Sequence, residues 1–279
     1  MKATIKNINL ICENLDHPEC LALDLKGNII TGSESGQIIS INTLNKKTEQ
    51  VNNTKGFILG ITIDGKGNIY ACDIKYQKIF KCDYNGKIQV YAEGNKDKEL
   101  INPNFSVFDR EGRLFFSDSG NYWKSNGSLW VIEPSSNKIL LTSSNLPFPN
   151  GLFYDYEESY LYVALSTSAS IVKFKIKNNF LEKKMEIVSE LPSTFVPDGL
   201  ALDTSRNIWV GCYAPDVILK INPKGKFMTV MEDSTGELLN RPTNLVLDNN
   251  RVYFANLGGW HIGSFETNVE PLKLSYPIF

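Results

Sequence analysis

Four oxygen-bearing side chains each stand directly after a proline and directly before a short apolar run: Glu19 after Pro18, Asn104 after Pro103, Asn150 after Pro149 and Asp198 after Pro197. Proline fixes φ and keeps its predecessor extended, so each pair sets how the chain enters the segment that follows. Two carboxylates and two amides brought to one place would lose hydration, and the carboxylates would repel. Such a cluster persists only if a cation or a proton compensates. The donors are all oxygens, with no His or Cys, which suits Ca²⁺, Mg²⁺ or Mn²⁺ better than zinc or copper. A solvated polar opening without metal is the alternative.

What would gather these residues is a repeat. An apolar run ending in Asp, a Gly- or Asn-rich turn, a second apolar run and a third recur around Asp24, Asp64, Asp109, Asp155, Asp203 and Asp248. The successive spacings are 40, 45, 46, 48 and 45 residues, the period of a radially repeated antiparallel unit. No segment carries a 3.6-residue apolar period, so almost no helix is expected. The prediction is an all-β fold, a six-bladed β-propeller with four-stranded antiparallel blades, forming a single domain over residues 1–279. The segment from Ile8 to Cys12 precedes the first repeat as an outer strand would, and is expected to complete the last blade. The six repeated Asp residues are expected to accept backbone hydrogen bonds at the turns.

In a propeller the first strand of each blade lines the central channel. In register at its start lie Glu19, Leu59, Asn104, Asn150, Asp198 and Thr243. The second strand returns to the same mouth and ends at Glu34, Asp73, Asp118, Ser166, Tyr213 and Asn256. Neither ring contains Lys or Arg, so the acids are expected to converge without a protein cation.

Several phrases, in order and at blade spacing, resemble the family of senescence-marker protein, gluconolactonase and luciferin-regenerating enzyme. They are Pro18-Glu19, the FSDSGNYW stretch at 116–123, Pro149-Asn150-Gly151-Leu152, Pro197-Asp198-Gly199-Leu200, Cys212-Tyr213-Ala214-Pro215-Asp216, and Arg241-Pro242-Thr243-Asn244 with Ala255-Asn256-Leu257-Gly258. The resemblance implies one divalent cation in the channel, held by Glu19, Asn150 and Asp198. Ca²⁺ leads as the metal, with Mg²⁺, Mn²⁺ or Zn²⁺ as alternatives. It also implies that Asn104 touches substrate or metal-bound water. Many bacterial members read Arg-Pro-Asn-Asp where this chain reads Asn102-Pro103-Asn104-Phe105, which weakens the implication of a sugar-acid substrate.

The function expected is metal-dependent hydrolysis of a lactone, with the cation polarising the carbonyl and Asp198 as general base. The competing base is Asp118 or Glu34. Asp118 and Trp123 are further expected substrate contacts, with Tyr122 and Trp123 in a long loop that would roof the pocket or merely anchor it. The alternatives are a non-enzymatic binding propeller and a hydrolase of other activated esters such as phosphotriesters. His17 is expected at a solvent-exposed strand entry, with substrate contact as the alternative, and His261 away from the mouth, capping or packing. Trp130, Trp209 and Trp260 are expected in blade packing.

The partner that the resemblance implies is a small-molecule lactone, and composition adds no macromolecular one. With 29 basic and 31 acidic residues the net charge is −2 and no basic stripe stands out, so neither nucleic acid nor an anionic membrane is expected as a partner. No apolar run approaches the length of a membrane span, and the N-terminal residues do not read as a secretory signal. The five cysteines show no paired spacing and are expected as reduced thiols of a cytoplasmic protein, present as a monomer or homodimer.

Overall fold

The computed structural model describes residues 5–83, 85–134, 138–177 and 180–278. In it the six repeats form six four-stranded antiparallel sheets arranged as the blades of a ring. Five blades run in chain order from the inner to the outer strand. The sixth takes Pro242–Asp248, Arg251–Asn256 and His261–Glu266 from the C-terminal repeat and Asn9–Cys12 from the N-terminus as its outer strand. Joining the first and last repeats in one sheet locks the ring, as the sequence predicts. Among the described residues the only helix is the 3-10 turn Ile5–Asn7.

Composition explains the position of each strand within a blade. Inner strands such as Pro149–Asp155 are buried along their whole length and carry small or apolar residues. Outer strands such as Thr48–Asn53 and Phe180–Glu190 are polar and largely exposed. Apolar side chains between neighbouring sheets form the core, for instance Phe153 and Ile171 of blade four against Leu200, Val210 and Leu219 of blade five.

The repeated Asp closes the turn between the first two strands. The Oδ1 of Asp24, Asp64, Asp109 and Asp203 accepts from the main-chain N–H four residues on, at 2.8–2.9 Å. In blades one, two and three a glycine, Gly27, Gly67 or Gly112, supplies the positive φ that the turn needs. Asp155 accepts from the N–H groups of Glu157 and Glu158 and also from Arg206 of blade five. Asp248 departs from the pattern, its carboxylate accepting from the Asn249 side chain.

The far end of the channel is covered by the segment after blade six. Leu272 N–H donates to Leu202 O at 2.8 Å, Tyr276 O–H to Leu23 O at 3.1 Å, and Gly65 N–H to Pro277 O at 2.8 Å. The segment thus crosses from blade five past blade one to blade two, and Leu272 is buried beneath the apolar lower channel. That leaves the opposite, polar end as the open mouth.

Candidate active site at the channel mouth

In blades two to six the expected channel residue sits at an irregularity of its inner strand, whereas Glu19 lies in the segment leading into the short inner strand Ala22–Leu23. Regular pairing breaks between Pro103 and Ser106, Pro149 and Leu152, Pro197 and Leu200, and Pro242 and Leu245. Asn104, Asn150, Asp198 and Thr243 fall inside those breaks. A bulge re-aims side chains out of the regular pleat, and proline, which lacks an N–H, is tolerated at such places. Close contact between blades also depends on glycine. A Cβ at Gly151 would collide with the main-chain carbonyl of Asp198, and one at Gly60 with that of Asn104. These glycines let neighbouring inner strands touch at the level of the channel residues.

Asn150 neighbours Asp198, and the Asp198 and Glu19 carboxylates lie close enough for their charges to interact. The Asn150 amide hydrogen-bonds the Asp198 carboxylate, and Asp198 in turn acts electrostatically on Glu19. Burial pushes Asp198 up to about 7, opposed by the Asn150 hydrogen bond. Burial, with the charges of Asp198 and Glu34 added, raises Glu19 well above the usual carboxylate range. Among the described residues no Lys, Arg or His forms an ion pair with either carboxylate. Nor do three His, Cys, Asp or Glu side chains cluster closely enough to hold an ion by themselves. Two desolvated carboxylates, of which Asp198 further raises Glu19, with an amide beside Asp198, form a donor set that suits a hard divalent cation.

The main chain beneath these residues is pinned by hydroxyls that sequence reasoning did not single out. Thr243 Oγ1 donates to Glu19 O at 2.6 Å, Ser117 Oγ to Asn150 O at 2.8 Å, and Ser166 Oγ to Pro197 O at 2.7 Å. Each bond joins one blade to the next. The signal was present as buried Ser and Thr inside otherwise apolar strands, where an unpaired hydroxyl is costly.

Asn104 is buried at the corresponding place in blade three. Asp118 is a correction. It is fully buried, and its carboxylate accepts from the N–H groups of Ile101, Asn102 and Gly120. Asp73 does the same in blade two, accepting from Thr54 Oγ1 and the N–H groups of Phe57 and Tyr76. These acids tie loops together instead of facing substrate, because the end of the second strand points into the loop as readily as into the channel. These loop bonds give Asp118 a structural role. Glu34 stays at the rim, partly exposed, 3.6 Å from His17 Nδ1.

Trp123 is 91% exposed, while Tyr122 lies edge-on against both Trp123 and Phe148. Tyr122 thus anchors the loop and Trp123 stands over the cleft at the mouth. Trp130 and Trp209 are buried within blades as expected, whereas Trp260 is half exposed with its ring 4.5 Å from that of His17. His261 caps its turn through Gly259 O, but it pairs with Asn256 and so lies at the mouth end of blade six.

The family model described as SMP-30/Gluconolactonase/LRE-like region matches residues 34–255. Among curated relatives, a gluconolactonase of Zymomonas mobilis is 23% identical over 64% of this chain and 55% of its own length. The protein strictosidine synthase-like 13 of Arabidopsis thaliana is 24% identical over 56% of this chain and 42% of its own. The chain spans about half the length of the curated relatives it matches. In fold it is similar to a gluconolactonase from Xanthomonas campestris, with a TM-score of 0.80, 16% identity and coverage of 93% and 89% of the two chains. A regucalcin of Agrobacterium tumefaciens, described as calcium-binding, gives a TM-score of 0.80 at 12% identity, covering 97% and 96%.

Proposed function

The chain belongs to the SMP-30/gluconolactonase/LRE-like family, and on that footing we propose that it hydrolyses a lactone at the channel mouth, using Glu19, Asn150 and Asp198. The observation that carries this reading is the pair of carboxylates, Asp198 buried and Glu19 partly buried, both raised by desolvation, with no cation among the described residues paired with either. A structural scaffold has no use for so unfavourable an arrangement. A divalent cation bound by Glu19, Asn150 and Asp198 would offset their charge and polarise an ester carbonyl. Calcium is the first choice, supported by the oxygen donor set and by the calcium-binding description of the regucalcin neighbour.

The remaining chemistry falls to the side chains. Asp198 takes a proton from the attacking water. The water oxygen bonds to the acyl carbon, the ring C–O bond breaks, and the ring oxygen leaves carrying a proton as the hydroxyl of a hydroxy acid. Asn150 holds Asp198 through its amide, and Asn104 supplies a further polar group beside the reacting ester. The test is a panel: metal-depleted protein reconstituted with Ca²⁺, Mg²⁺, Mn²⁺ or Zn²⁺ and assayed on aliphatic, aromatic and sugar lactones and a phosphotriester. Turnover of lactones that requires the metal supports the reading. Turnover of the phosphotriester alone, or metal binding without turnover of any ester, contradicts it.

A further inference from the structure

Beside the proposed centre, the long loop of blade three and the mouth loops leading into blades four and five enclose a cleft of about 600 Å³. That is within the range of small-molecule sites, roughly 300–1,000 Å³. One wall is apolar, made by Tyr122, Trp123, Pro147, Phe195 and Val196. The other carries hydroxyls, including those of Ser166, Ser168 and Ser193, and Lys124 is the one charged residue among those described.

Two features mark this cleft as more than a surface groove. Trp123 stands 91% exposed yet supported, its ring 4.9 Å from Tyr122, which in turn lies 5.1 Å from Phe148. An indole held in water in this way gains apolar contact only when something covers it. The cleft also adjoins the centre, although none of the centre's own residues lines it. Ser166 lines it while accepting from Asn150 Nδ2 at 3.3 Å, and Val196 lines it two residues before Asp198.

We propose that the cleft holds an apolar arm of the ester substrate, so that the protein selects lactones bearing an alkyl or aryl substituent over polyhydroxylated ones. The inference rests on the hydrolase reading above. A sugar ring placed here would turn hydroxyls toward Trp123, Phe195, Val196 and Pro147, where they lose water and find no partner. An alkyl or aryl arm covers the same surface without that penalty, while the ester itself stays at the centre.

The experiment compares wild type, Trp123→Ala and Phe195→Ala on γ-lactones whose side chain lengthens from methyl to octyl. For wild type, kcat/KM rises by up to about fourfold per added methylene until the cleft is filled. In both variants the slope flattens. A flat series for an active wild type, or an unchanged slope in both variants, overturns the subsite while leaving lactone hydrolysis standing. Should no lactone turn over, binding is read from the Trp123 fluorescence in a Trp260→Phe background, since Trp130 and Trp209 are buried. A blue shift that deepens with chain length then supports the subsite although the hydrolase reading has failed. No shift at any length overturns it.

Discussion

The Oγ1 of Thr243 in blade six donates to the main-chain carbonyl of Glu19 in blade one at 2.6 Å, across 224 residues of sequence. This bond closes the ring at the level of the candidate centre, next to a residue proposed to bind the cation. It ties the joint between first and last blades to the geometry of the site. Thr243→Val keeps the shape and removes the donor. The expected outcome is a loss of about 1–3 kcal/mol in urea unfolding, because Glu19 O is left without its partner, together with weaker calcium binding by titration. Lower stability with unchanged calcium affinity would mean that the bond serves the ring alone.

Asp198→Asn keeps the size of the side chain and an oxygen donor but removes the charge and the base. The fold is expected to survive, with hydrolysis reduced about 10²–10⁴-fold and the cation held less tightly. Circular dichroism, single-turnover rates and metal titration measure the three effects. Near-normal turnover would transfer the proton acceptor to another group, with Glu34 at the rim an alternative acid.

Metal-free protein should lose stability as the pH rises. Glu19 and Asp198 are raised in the folded state, Asp198 to about 7, whereas in an unfolded chain both titrate at roughly 4. Between those values the folded protein retains protons that the unfolded chain has released. The slope of unfolding free energy with pH is therefore negative there, and the contribution is complete below about pH 4. The melting temperature in chelator should fall between about pH 5 and pH 8, and Asp198→Asn should flatten the fall. Saturating calcium, which binds the deprotonated pair, should restore stability at the upper end. A melting temperature that rises over this range in chelator, in wild type and variant alike, would contradict the assignment.

Asp118 should behave as a structural residue. Its carboxylate accepts from three main-chain N–H groups while fully buried, so Asp118→Ala leaves all three without their acceptor. A destabilisation of about 3 kcal/mol or more is expected by denaturant unfolding. Were Asp118 instead a substrate contact, Asp118→Asn would raise KM and leave stability unchanged.

Much of the fold was legible because a propeller is periodic. The repeated Asp, the Gly- or Asn-rich turns and the alternating apolar runs announce each blade locally, and Ile8 to Cys12 stood out as a strand without a repeat of its own. The ring of Glu19, Asn104, Asn150 and Asp198 was legible for the same reason, since superposed repeats expose the positions where polar residues break an apolar rule. The second ring misled. Asp73, Asp118 and Asn256 occupy equivalent positions to Glu34 and Ser166, but they bind loop amides. Sequence register places a residue at the end of a strand without saying whether its side chain serves the channel or the adjoining loop.

By itself, then, the order of residues determined the number of blades and their strand sequence, because period-two burial and tight turns are short-range effects. The tertiary structure decided the rest: the bulges that turn Asn150 and Asp198 toward one another, the hydroxyls that bind one blade to the next, and the raised protonation of Glu19 and Asp198. Those depend on distances between residues from different blades and on the removal of water between them. Neither exists until the ring has closed.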